Sequence, residues 1–169
     1  MWEEMDRPYL FERMTEFSIP RDDRLLIAST EGLQYVRLSP EIAIDRVDAS
    51  VEYLGDYDPV WDGVRFEMLG NWHCDPIIVH PDGGEVLDLD LEAQTLLVLG
   101  TGGDVRQEIR FDDMSGDWGV ATFSADGKYL VIGVPYDIYI YRRTTGPPED
   151  PGRAAPGGEG LSPPEDREA

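Results

Sequence analysis

Basic side chains are scarce in this sequence: fourteen Lys and Arg face thirty-five Asp and Glu, for a formal net charge of −21. A surface so charged repels phosphate as it repels itself, which makes nucleic acid and anionic lipid poor partners and favours cations and basic proteins. Solubility, or life in a salty cytoplasm, accounts for the same charge without any partner. Cysteine is nearly absent. Cys74 stands alone, so no disulfide can form within the chain, in keeping with a reducing compartment. No run approaches eighteen apolar residues, and no membrane-spanning helix is expected. The opening residues, Met1-Trp2-Glu3-Glu4-Met5-Asp6, are acidic where a secretory signal needs a basic segment and then an apolar run. The expected location is cytoplasmic.

Catalytic and cofactor signatures are missing too. Gly100-Thr101-Gly102-Gly103 follows an apolar strand, as a dinucleotide-binding turn does. The third glycine of that fingerprint is replaced by Val105, and a strand rather than a helix follows. Asp56, Asp58, Asp62 and Glu67 match four positions of a calcium loop, but Val60 and Trp61 stand where a ligand and the turn glycine belong. His73, Cys74 and Asp75 adjoin one another, with His80 further on; a zinc site needs paired ligands from two segments. No Gly-x-Ser-x-Gly occurs, and nothing marks Cys74 as a nucleophile. Neither a catalytic residue nor a metal or cofactor is assigned, and the chain leans away from being an enzyme.

What is present is β structure. At 169 residues, 41% of them hydrophobic, the chain can bury one core without staples. Leu25–Ser29 and Leu33–Leu38 flank Thr30-Glu31-Gly32 as a hairpin, and Val64–Met68 alternates. Pro76–His80 turns through Pro81-Asp82-Gly83-Gly84 into Glu85–Leu89. Thr95–Leu99 turns through glycines into Val105–Phe111. Two strands flank Asp126-Gly127, and Ile138–Tyr141 adds another. The first seventeen residues read as a short helix or irregular structure, with Pro8 in a first turn and Leu10, Met14 and Phe17 on one face, although alternation also permits a strand. About ten to twelve short antiparallel strands result, the spacing of a small propeller-like or sandwich-like stack. This all-β domain covers 1–145. Residues 146–169 hold six prolines, five glycines and one large apolar residue, Leu161, which reads as a disordered tail.

Phe123-Ser124-Ala125-Asp126-Gly127-Lys128-Tyr129-Leu130-Val131-Ile132-Gly133, closed by Asp137–Arg142, resembles the inner part of a WD-repeat-like β-propeller blade. Phe17-Ser18-Ile19-Pro20-Arg21-Asp22-Asp23-Arg24-Leu25 matches it with a turn two residues longer, and His80-Pro81-Asp82-Gly83-Gly84 supplies a third turn of this kind. The resemblance covers about a third of the chain and carries no activity. At roughly 40–45 residues per blade, 1–145 holds three to four blades.

Three acidic stretches stand out. In Val86–Glu92, Asp88, Asp90 and Glu92 alternate with leucines, so a strand places three like charges on one face; a solvated outer face is the commoner outcome for such a strand. Asp56, Asp58, Trp61 and Asp62 form the second stretch, and Asp112, Asp113, Asp117 and Trp118 the third. Each joins acids to aromatics, the composition of a hot spot for Arg- or Lys-rich surfaces; both tryptophans also suit a core. The favoured reading is a non-enzymatic acidic interaction protein that binds a basic protein, with the composition of immunity proteins, inhibitors and nucleic-acid mimics. The alternative is a small β enzyme or ligand-binding module with its site near His73, Cys74 and the aromatic-acidic loops.

Overall fold

The computed structural model describes residues 1–6, 13–49, 58–70, 75–113 and 116–144. Its strands, in chain order, are β1 Trp2–Glu4, β2 Met14–Ser18, β3 Arg24–Ser29, β4 Gly32–Arg37, β5 Ala43–Asp48, β6 Val60–Trp61 and β7 Val64–Arg65. They continue with β8 Met68–Gly70, β9 Glu85–Asp90, β10 Thr95–Gly100, β11 Val105–Arg110, β12 Val120–Phe123, β13 Tyr129–Val134 and β14 Asp137–Arg143. No helix occurs among the described residues. Every pairing is antiparallel, and the strands form four sheets ordered β1-β14-β13-β12, β11-β10-β9, β5-β4-β3-β2-β8 and β6-β7. None of them closes into a barrel.

Burial explains which sequences went where. All six residues of β13 are buried, and its sequence Tyr-Leu-Val-Ile-Gly-Val is apolar throughout because both of its faces are covered. One face packs Leu130, Ile132, Tyr139 and Tyr141 against Leu87, Leu96, Val98 and Ile109 of the β9–β11 sheet. The other packs Tyr129, Val131, Ile138 and Ile140 against Phe17, Leu25, Ile27 and Val36 of the five-stranded sheet. A third cluster covers that sheet's far side, where Leu26, Leu33 and Tyr35 meet Trp61, Phe66 and Met68. The molecule is thus a stack: the β9–β11 sheet, the β1-β14-β13-β12 sheet, the five-stranded sheet, then the β6–β7 hairpin. Full burial of one such aliphatic side chain is worth about 1.5–3 kcal/mol. Strand β9, at the end of the stack, alternates instead, with Glu85 and Leu87 buried and Asp88 and Asp90 exposed.

Two of the turns share a pattern of hydrogen bonds. His80 N donates to Glu85 O and Ser124 N to Tyr129 O, both at 2.9 Å; Gly83 N and Gly127 N close their turns onto His80 O and Ser124 O. Asp82 Oδ1 accepts from Gly84 N, and Asp126 Oδ1 accepts from Lys128 N. The turn glycines have φ of 72° and 71°. In the turn after β2, Ser18 Oγ accepts from Leu26 N as Ser124 Oγ accepts from Tyr129 N. Phe17 pairs with Ile27 and Phe123 with Leu130, which makes the early turn three residues longer, one more than the alignment by sequence.

Other expectations change. Residues 1–6 and 13–17 contain strand rather than helix: β1 pairs with β14 at the far end of the chain, and burial of Trp2 and Met14 outweighs local helical periodicity. Pro8 and Leu10 lie outside the described residues. The alternating run Val64–Met68 is split between β7 and β8, with Phe66 turned into the outer core between them. Residues 146–169 lie outside the described residues.

Candidate functional site

The turns that hold Asp23, Asp82 and Asp126 gather at one end of the stack and frame an open cleft of about 780 Å³. That lies within the range of small-molecule sites. Asp23, His80, Asp82, Asp126, Gly127, Lys128, Tyr129, Arg142 and Arg143 line it. Lys128 is the single lysine of the chain.

Apart from Arg142, which donates to Pro40 O at 3.1 Å, the charged side chains are spent on one another. Arg143 Nη1 donates to Asp82 Oδ2 at 2.9 Å, and Nη2 lies 3.7 Å from buried Glu85. Trp2 Nε1 donates to the same Glu85 carboxylate at 3.2 Å. His80 is buried between Phe123 and Trp2, with ring centroids 5.0 and 6.0 Å away. Its Nε2 sits 2.9 Å from both Gly127 O and Arg143 Nη1. Its Nδ1 sits 3.2 Å from Asp82 N and 2.6 Å from Asp82 Oδ1. Either neutral tautomer is therefore satisfied by protein atoms, whichever nitrogen carries the proton. Tyr129 donates to Asp23 Oδ1 at 2.8 Å, and Lys128 Nζ bridges Asp126 at 2.9 Å and Asp23 at 3.7 Å.

Protonation follows these contacts. The Gly84 N–H, and then the Arg143 guanidinium, hold the Asp82 carboxyl down to about 2. Burial and then the hydrogen bond to Asp23 push the Tyr129 phenol up. The hydrogen bond and charge of Asp126 raise the Lys128 ammonium. Burial opposes ionisation of Asp126, but the bonds from Lys128 and Ser124 outweigh it and lower that carboxyl. The cleft is a set of closed ion pairs and hydrogen bonds that ties three sheets together. The sequence reading did not pick out Arg143, Glu85, Lys128 or Tyr129; the repeated Asp-Gly turn was the signal pointing to this end of the molecule.

The acidic stretches do not converge. Trp61 is buried in the outer core, its ring 5.4 Å from Tyr35 with the Arg24 guanidinium 5.1 Å over it. Asp58 is half-buried and accepts from Arg65 Nε at 3.0 Å; Asp62 is exposed, 3.6 Å from Arg24. Trp118 lies in the central core, Asp113 is buried with Oδ2 accepting from Gly116 N, and Asp117 pairs with Arg13. Both tryptophans are therefore core residues rather than exposed anchors: each packs against a sheet face that needed covering. Asp112 is exposed, its main chain pinned to the Tyr139 hydroxyl. Asp88 and Asp90 are exposed on β9, but Glu92 falls in the turn after it, because the strand ends when Asp90 Oδ1 accepts from Ala93 N. The expected three-carboxylate face is a pair. Asp56, His73 and Cys74 lie outside the described residues. No protein-family model matches the chain, and no curated protein matches it significantly.

Proposed function

We propose that this chain is a non-enzymatic interaction protein whose carboxylates receive a basic protein partner. One observation carries the reading: eight of the eleven cations among the described residues are consumed inside the molecule. Arg13, Arg24, Arg37, Arg65, Arg106, Arg110, Lys128 and Arg143 each pair with a carboxylate of the chain itself. Asp88, Asp90, Glu92 and Asp112 are exposed and have no cation within 4.0 Å among the described residues. No described cation stands beside them to neutralise that charge, which leaves them open to a basic partner. The closed contacts of the turn-end cleft favour the same reading, since no ring nitrogen or carboxylate there is left poised for proton transfer. The blade-like reading of the three turns supports a scaffold of stacked sheets that presents surfaces instead of a reaction centre.

Salt-dependent binding kinetics test this. Proteins captured on the full chain from its source lysate at low salt should be basic. Their association should slow steeply as salt rises, with dissociation changing little, because screening acts over about 10 Å at 0.1 M. Capture of neutral or acidic proteins alone, or rates indifferent to salt, would make the charge a solubility device.

A further inference from the structure

The β9–β11 sheet ends the stack. Its inner face carries Leu87, Leu96, Val98 and Ile109 into the core; by alternation its outer face carries Val86, Asp88, Asp90, Thr95, Leu97 and Leu99, and no described residue packs over that face in the core clusters. Register draws a line across it. Val79 pairs with Val86, Val86 with Leu99, and Leu99 with Val105. At about 4.8 Å between neighbouring strands, four aliphatic side chains in a row span roughly 14 Å. Val79 and Val105 are 49% and 56% exposed. Leu97 extends the strip into the next row, between Asp88 and Glu108, and Asp90 stands one row beyond. A contiguous aliphatic line on an exposed sheet face, with Asp88 and Asp90 on β9 unpaired among the described residues and Glu108 on β11 already paired with Arg110, is the anatomy of a docking surface rather than of a solvated face.

We infer that this outer face, with its aliphatic row flanked by Asp88 and Asp90, is where the basic partner docks. The inference rests on the proposed function and deepens it. The occupant is a protein presenting an apolar strip with Arg or Lys beside it. A second copy of this chain is a poor fit, because a self-complementary contact would bring Asp88 and Asp90 of both copies together in molecules that each carry −21.

Three double variants of the full chain decide it, each checked for folding by its thermal transition. Asp88→Lys with Asp90→Lys reverses charge on the face. Val79→Thr with Val105→Thr keeps shape and removes apolar surface. Glu3→Lys with Glu41→Lys makes the same charge change at exposed positions around a separate groove. Binding of the captured basic protein is measured by surface plasmon resonance at low salt. The face-charge variant should lose at least about tenfold in association rate, the Thr variant should dissociate several-fold faster, and the control should change by less than about twofold. Equal losses for both charge variants, with no effect of the Thr pair, overturn the docking face yet leave the electrostatic reading intact. Absence of any basic partner overturns both. A concentration-dependent dimer that the Thr pair dissolves assigns the face to self-association and overturns the proposal.

Discussion

The carbonyl oxygen of Gly127 lies 2.9 Å from His80 Nε2, so one Asp-Gly turn caps another in the neighbouring sheet. The contact needs a residue with no side chain. A Cβ on Gly127 would stand 2.6 Å from both His80 Cε1 and Nε2, whereas one on Gly83, at nearly the same φ, would meet nothing within 4 Å.

The two glycines therefore make a matched experiment. Gly83→Ala should cost only the left-handed backbone term, about 1–2 kcal/mol. Gly127→Ala should add an overpacking term of about 1–3 kcal/mol. Urea titration of both variants reads the difference. Equal costs would mean that the His80 ring moves aside freely and that the turn-to-turn contact does not hold the sheets together.

Asp82 sets a pH signature. Its carboxyl is held at about 2, against 3.8 for an unperturbed aspartate, by the Gly84 N–H and then Arg143. A lowered folded-state value means that the unfolded chain takes up the proton more readily. The stability this gives is complete above 3.8 and is lost as pH falls toward 2. Asp82→Asn should therefore flatten the acid limb of the stability-against-pH curve in that window and leave its neutral region parallel to that of the parent. An acid limb of unchanged slope would assign acid sensitivity to other carboxylates.

Much of this architecture was legible in the sequence, and the gaps have physical causes. The hairpins around Thr30-Glu31-Gly32 and Asp126-Gly127 were readable because turn chemistry and alternation agree there. Strand β5, Ala43–Asp48, escaped notice because an edge strand with exposed Asp45, Arg46 and Val47 has little apolar pattern to show. Strand β1 was hidden because its partner, β14, lies at the opposite end of the domain, a pairing no local window contains. The turn-end cleft was half legible: Asp82 and Asp126 follow from their turns, but Arg143 reaches Asp82 only through tertiary structure.

The Gln107 side chain holds the Trp2 main chain on the open side of strand β1. Gln107 Oε1 accepts from Trp2 N and its Nε2 donates to Trp2 O, both at 2.8 Å, as a neighbouring strand would. Gln107→Ala should destabilise by about 1–3 kcal/mol and speed amide exchange at Trp2 more than in β13. Gln107→Glu can still accept from Trp2 N but turns a carboxylate oxygen toward Trp2 O. It should recover little of the loss at neutral pH. Native-like exchange at Trp2 in both variants would show that β14 alone anchors this strand.

Trp61 separates a core tryptophan from a binding anchor. It is 8% exposed, stacked near Phe66 at 6.3 Å and edge-on to Tyr35, and it closes the outer face of the five-stranded sheet. Removal of a buried indole leaves a cavity as well as lost transfer energy, so Trp61→Ala should cost about 3–5 kcal/mol. Trp61→Phe, which keeps part of the packing against Tyr35, should cost distinctly less. Guanidinium titration followed by circular dichroism measures both, and binding of a basic partner to whatever fraction stays folded gives the comparison. A core residue predicts large loss of stability with unchanged affinity per folded molecule. The opposite pattern, normal stability with affinity abolished, would return Trp61 to the interaction surface and move the docking site to the β6–β7 end of the stack.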